Sequence, residues 1–321
     1  MPCWPRTFTT PDDGGPSGPW ARPWTRGRPL ALFALAALAS LAGCGDESGS
    51  GTLSDRPVLL QPVAGATVDS DRPVFVVRNA QGFDSGQATY TFRVSVASSD
   101  RDVASVTALA GRGETAVQSP APLLRGALLA WSVVARSPGG SEVASDRATF
   151  RLPPVDCRPT STPYAKSVAG FWVPATCRER NIYNDPQAAL GAPDAGGKGP
   201  DMYYGFVSLG NGGWVDVDME GCALDGTGDD VRVFQSVSRE PVTLLASSSP
   251  TGPWVLVEYR KPCGARVPDV FSRACTFDLA QAGIEEARYF RVQDGELYPC
   301  PGGTVTEGAD IDAIEILNAK P

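Results

Sequence analysis

The run Leu224-Asp225-Gly226-Thr227-Gly228-Asp229-Asp230-Val231-Arg232-Val233-Phe234 gathers more reactive side chains than any other stretch of the chain. Glycine at 226 and 228 admits the positive φ of a tight turn. Asp225, Asp229 and Asp230 surround that turn. Carboxylate and carbonyl oxygens on a tight loop suit Ca²⁺, which takes six to eight oxygen ligands. The spacing is not an EF-hand, because no helix flanks the loop and no Glu closes it. A solvated acidic hairpin loop fits the same residues. A second acidic pair, Asp310 and Asp312, lies in Gly308-Ala309-Asp310-Ile311-Asp312-Ala313-Ile314-Glu315-Ile316-Leu317. Alternation along a strand puts both on one face. Carboxylates beside aliphatic residues need solvent, a cation or hydrogen-bond donors. The two clusters either meet in the fold or stay apart. Asp225, Asp229, Asp230, Asp310 and Asp312 are the candidate ligands of a structural Ca²⁺.

The chain has no His, which removes the usual general base and the Ser-His-Asp arrangement. Paired carboxylates can hydrolyse a glycoside, but no Asp/Glu pair stands out for it. The expectation is a non-catalytic protein. Aromatic rings stack on the apolar faces of sugars, and Trp172, Tyr183, Tyr203, Tyr204, Trp254 and Tyr298 are available for that. Tyr203 and Tyr204 lie beside Gly-rich stretches and are the preferred ligand-binding candidates. Trp254 follows Thr251-Gly252-Pro253 and reads as core at the start of a strand. A formal net charge of −8 with no basic cluster argues against nucleic acid as a partner.

Arg22, Arg26 and Arg28 precede an apolar, uncharged run from Pro29 to Leu41. That run has the size of a signal-peptide core and is too short for a spanning helix of ~20 residues. It ends in Leu41-Ala42-Gly43-Cys44, which resembles the bacterial lipobox. Residues 1–43 are therefore expected to be a lipoprotein signal peptide, with Cys44 as the lipidated residue. The Gly/Ser-rich stretch at 44–55 is expected to be a flexible tether. Acyl chains, palmitate among them, would hold the protein to the membrane. Gly45 directly after the anchor allows sorting to the outer membrane. Export turns Cys157, Cys177, Cys222, Cys263, Cys275 and Cys300 into an expected set of three disulfides. Six Cys allow 15 pairings. The expected set is Cys157 with Cys177, Cys263 with Cys275 and Cys222 with Cys300. With no CxxC pair and no His, zinc is a poor fit.

These residues need strands to position them. Tyr90, Phe92, Val94 and Val96 alternate with Thr91, Arg93 and Ser95, and Leu129, Trp131, Val133 and Ala135 repeat the pattern. Val74–Val77 and Ala148–Leu152 are shorter candidates. Beyond residue 165, strands are expected around Trp214–Met219, Val231–Gln235, Trp254–Tyr259, Tyr289–Val292 and Ile311–Leu317, with a helical turn near Leu279–Glu286. No stretch gives a convincing amphipathic helix. The fold class is all-β: an immunoglobulin- or fibronectin III-like sandwich at 56–153, a linker at 154–164, and a jelly-roll sandwich at 165–321. Trp131 is expected in the core.

Pro62-Val63-Ala64-Gly65-Ala66-Thr67-Val68, Arg72 to Ala80, Tyr90 to Val94, and Leu124-Arg125-Gly126 with Trp131 to Ala135 resemble bacterial fibronectin type III-like modules. Leu129 stands where those modules have Tyr. Asn184 to Asp194, Val207 to Val215, Asp225 to Phe234 and Gly308 to Leu317 resemble a bacterial cell-surface domain related to discoidin and carbohydrate-binding modules of the galactose-binding-like type. That resemblance implies Asp225, Asp230 and Asp312 as matching acidic positions. Gln235 stands where the family often has Glu. Together the resemblances imply a surface lipoprotein that binds a glycan or an envelope protein. A structural subunit of an envelope assembly and an accessory domain of a hydrolase are the alternatives. If Cys44 is the anchor, Cys44→Ser abolishes incorporation of labelled palmitate and moves the protein from the membrane to the soluble fraction.

Overall fold

Period-two patterning becomes strand almost throughout. The computed structural model describes residues 55–84, 86–178, 182–197, 203–236, 240–267, 271–295 and 308–321. Cys44, Tyr298 and Cys300 lie outside the described residues. Val58–Gln61, Val74–Arg78 and Glu114–Gln118 form a three-stranded sheet in that order. A larger sheet runs Ala66–Thr67, Ala148–Arg151, Leu129–Arg136, Thr89–Val96, Asp102–Leu109, with Glu142–Ala144 added beside Leu129–Arg136. Alternation along Thr89–Val96 buries Tyr90, Phe92, Val94 and Val96. Phe75 of the smaller sheet sits 5.1 Å from Trp131 and 5.8 Å from Phe150 of the larger one, ring centre to ring centre. These rings hold the two sheets face to face. Trp131 is core, 1% exposed, and its indole N–H donates to Pro62 O at 3.1 Å. A buried indole N–H usually finds such a partner, since an unmet one costs its desolvation.

Residues beyond 165 form two five-stranded sheets. One runs Ser167–Trp172, Trp214–Leu224, Glu286–Asp294, Pro241–Ser247, Val255–Pro262. The other runs Val207–Ser208, Asp310–Ile316, Val231–Ser236, Ser272–Phe277, Ala265–Arg266. Val215, Val217, Phe290 and Val292 of the first share a buried cluster with Val231, Val233, Phe277 and Ile314 of the second. The expected helical turn is a 3-10 turn at Leu279–Ala282, capped by Asp278, which accepts from Ala280 N.

The stretch 154–164, expected as a linker, is strapped to the second pair of sheets. Arg158 N donates to Glu220 O, and Ile316 N donates to Pro163 O. Cys157 is joined to Cys222. This corrects two expected disulfides at once: Cys157 does not pair with Cys177, nor Cys222 with Cys300. The strap carries Cys157 onto the long strand that holds Cys222, a contact invisible in sequence spacing. Cys263–Cys275 forms as expected, and Cys177 is also disulfide-bonded.

The two pairs of sheets meet along a seam. Gly126 O accepts N–H groups from both Glu285, at 2.7 Å, and Glu286, at 3.1 Å. Ala127 and Ile284 form an antiparallel bridge. Arg151 pairs with Glu285, and Val155 N donates to Glu286 Oε1 at 2.6 Å. Gly126 has φ +72°, and a Cβ there would fall 2.1 Å from Glu286 O. A non-glycine residue at such a φ costs about 1–3 kcal/mol before any clash. Gly126→Ala is expected to lower stability by at least that range in denaturant melts and to expose the 152–158 strap to protease.

Candidate functional site

The acidic loop folds as a closed turn. Asp225, Asp230 and Asp278 bring one carboxylate oxygen each within 4.8 Å of one another. Asp230 is fully buried and accepts from Gly226 N at 2.8 Å, Leu279 N at 2.9 Å and Asn318 Nδ2 at 2.7 Å. Three donors satisfy this carboxylate and pin the loop to the 3-10 turn and to the C-terminal segment. Asp225 is exposed. Its carboxyl is held above the usual range by partial burial, then by the charges of Asp230, Asp278 and Glu285. Asp229 is exposed too and accepts from the Thr276 hydroxyl.

The other acidic pair lies at the far end of the same neighbouring strand. Val231 is in register with Ile316 and Gln235 with Ile311, so strand rise puts Asp230 about 20 Å from Asp310. The five candidate Ca²⁺ ligands therefore do not converge on one ion. The sequence pattern gave no sign of which end each would occupy. A register shift between Phe234 and Gln235 leaves Asp312 as an extra residue between Ala313 and Ile311. Asp312 is buried and accepts from Asp194 N at 2.9 Å, Ala195 N at 3.1 Å and the Ser272 hydroxyl. Burial raises its carboxyl against those donors. Asp310 accepts from the Ser208 hydroxyl. Its carboxyl is pushed up to about 7, first by burial and then by the charges of Glu240 and Asp294. Asp294, not singled out from the sequence, accepts from Gly212 N at 3.0 Å and Ala309 N at 2.7 Å.

The aromatic candidates separate by exposure and by neighbour. Tyr204 is 47% exposed, on a short strand paired with Gly196–Gly197, and its ring lies across Gly196. Tyr203 pairs with Gly197 through its backbone. Tyr183 stacks on Phe206 with ring centres 4.6 Å apart. Trp254 is half-buried rather than core. It belongs to a ladder on the outer face of the first five-stranded sheet. The Arg291 guanidinium lies 3.9 Å from the Trp214 ring centre and 4.7 Å from that of Trp254, so one cation bridges two indoles. Trp172 is in register with Trp214 on the edge strand and is 49% exposed. Alternation explains the placement: Val215 and Val217 face the core, which turns Trp214 and Asp216 outward. Arg291 Nε and Nη2 donate to the two Asp216 oxygens at 2.6 and 2.8 Å. Burial raises the Asp216 carboxyl and outweighs the lowering effect of Arg291. Gly170 opposite leaves room, since a Cβ there would sit 3.0 Å from both Asp216 Oδ2 and the Trp214 ring. Trp214 and Arg291 carry no mark as a pair in the sequence, because strand alternation alone does not pair residues across strands.

No protein-family model matches the chain, and no curated protein matches it. Two solved structures similar to it are a SusE-like protein, BT2857, and dimeric latent PorU from Porphyromonas gingivalis. The first is 10% identical, covering 81% of this chain and 95% of that one, at a TM-score of 0.26. The second is 12% identical, covering 80% of this chain and 33% of that one, at a TM-score of 0.24. Likeness at this level carries no functional argument.

Two measurements follow from this geometry. Asp230→Ala strands three donors, two of them backbone, and is expected to cost at least about 2 kcal/mol in denaturant melts. Asp310 binds its proton more tightly folded than unfolded. Its stabilising contribution is therefore full below the ordinary carboxylate range and is lost as pH rises through about 7. In EGTA, the stability of the native chain should fall relative to Asp310→Asn between pH 4 and 8. Parallel curves would show that Asp310 is not held protonated.

Proposed function

We propose that this protein is an exported, lipid-anchored, non-catalytic binding protein of the bacterial envelope. Its ligand is a glycan, taken on the outer face of the Ser167–Trp172 and Trp214–Leu224 strands. The observation that carries this reading is the stack of Arg291 on Trp214 and Trp254, with the exposed Trp172 in register with Trp214 on the edge strand. Sugars present apolar C–H faces to aromatic rings, and an exposed indole beside a fixed one makes a flat platform for them. A guanidinium between two indoles is worth about 2 kcal/mol when desolvated, so the ladder arrives pre-formed and loses little entropy on binding. Arg291 is neutralised by Asp216, which leaves the platform without net charge. Uncharged sugars fit that better than acidic ones. The absence of His and the lack of a matched carboxylate pair support binding over hydrolysis.

The test is glycan-array binding followed by titration of the best neutral oligosaccharide. Trp172→Ala should weaken binding at least tenfold, about 1.4 kcal/mol, with an unchanged melting temperature because the ring is half-exposed. Arg291→Ala should lose both binding and stability, since it leaves the buried Asp216 carboxylate unpaired. Wild-type affinity in Trp172→Ala, or no glycan bound at all, would refute the platform.

A further inference from the structure

A recess of about 310 Å³ opens between the two sandwiches. The first sandwich contributes Asp71 and Arg125, the strap Asp156, and the second sandwich Ser248 and Tyr289. Small-ligand sites favour such interfaces, at about 300–1,000 Å³. The floor is fixed. Arg288 gives Nε and Nη2 to the two Asp218 oxygens at 2.7 and 2.9 Å, and Nη1 to Asp156 O at 2.7 Å. Its guanidinium lies 5.2 Å from the Tyr289 ring centre. The walls are less fully used. The Arg125 guanidinium stands 3.8 Å from the Asp71 carboxylate, beyond hydrogen-bond reach. Asp156 is exposed, and of its oxygens only the backbone carbonyl takes a bond among the described residues. The Ser248 hydroxyl accepts from Arg125 N at 3.2 Å, which leaves its proton to give.

Carboxylates, a guanidinium and a hydroxyl side by side suit a ligand whose groups both donate and accept. Hydroxyls do both, and neighbouring hydroxyls on a sugar match the two oxygens of a carboxylate or the fork of a guanidinium. An anionic ligand would instead meet Asp71 and Asp156. The recess also continues the aromatic face. Phe290 points into the core, so Tyr289 and Arg291 both face outward, about 7 Å apart along one strand. Gly252 and Pro253 line the recess, and the next residue, Trp254, takes the Arg291 cation. We propose that this recess is a second subsite for the same glycan. The indole face stacks one sugar ring, while Arg125, Asp156 and Ser248 bind the hydroxyls of a ring further along. The ligand is then a neutral oligosaccharide that bridges both sandwiches. This rests on the glycan reading of the aromatic face.

The experiment is calorimetric titration of the intact chain with neutral cello-, malto-, manno- and N-acetylchitooligosaccharides of one to six units. In the series that binds, affinity should rise roughly tenfold or more from the shortest bound member to the longest, a gain of about 1.4 kcal/mol. Arg125→Ala and Asp156→Ala should each remove most of that rise and leave the shortest member bound as in the wild type. Their melting temperatures should not move, because Asp156 is exposed and a loose surface pair such as Arg125 with Asp71 adds little stability. Trp172→Ala should weaken every length. Loss of the rise in either seam variant alone still places the second ring in the recess. Equal affinity at all lengths, or a rise that both seam variants keep, would overturn the subsite while the platform stands. If no series binds, platform and subsite fall together.

Discussion

A buried carboxylate has to be given donors, and the second pair of sheets is organised around giving them. Asp230 ties one loop to a 3-10 turn and the C-terminal segment. Asp294 reaches across to Gly212 and Ala309. Asp312 holds the chain at Asp194 and Ala195. Asp218 takes both arms of Arg288, and Asp216 takes both arms of Arg291. In each case a short side chain anchored on or beside a strand fixes a neighbour by the directionality of its hydrogen bonds. Loops that would otherwise wander are stitched to the sheets, and the sheet faces inherit that rigidity. The outer ladder stands only because Asp216 orients the guanidinium that separates its indoles.

The strands were legible because their chemistry is local. Tyr90 to Val96 and Leu129 to Ala135 alternate without interruption, and both became central strands with the large residues inward. The all-β class followed from such runs and from the lack of any amphipathic helix. Asp102–Leu109 is harder to read: it is an edge strand whose inward positions after Val103 are Ala104, Val106 and Ala108, only half-buried and mostly small. Trp254 reads as core from its place at a strand start, yet it lies on the outer face because Arg291 offers it a cation.

What sequence could not disclose was pairing across the fold. The cysteine that Cys157 meets is decided by the path of the strap, not by spacing. Likewise the acidic residues of 225–230 and 310–312 look like one ligand set on paper, but the antiparallel register sends them to opposite ends of a sheet. Asp294 carries no motif. It matters through burial and neighbours, and burial at a strand end depends on loops from elsewhere in the chain.

The seam at Gly126 has a mechanical meaning. One carbonyl receives two successive N–H groups, an antiparallel bridge lies beside it, and an ion pair flanks it. A pull transmitted between the sandwiches would load these bonds together, while the disulfide between Cys157 and Cys222 holds the strap behind them. The two sandwiches would therefore answer a load as one strut rather than as two beads on a chain. Force entering one sandwich would pass to the other with little energy lost to bending at the seam.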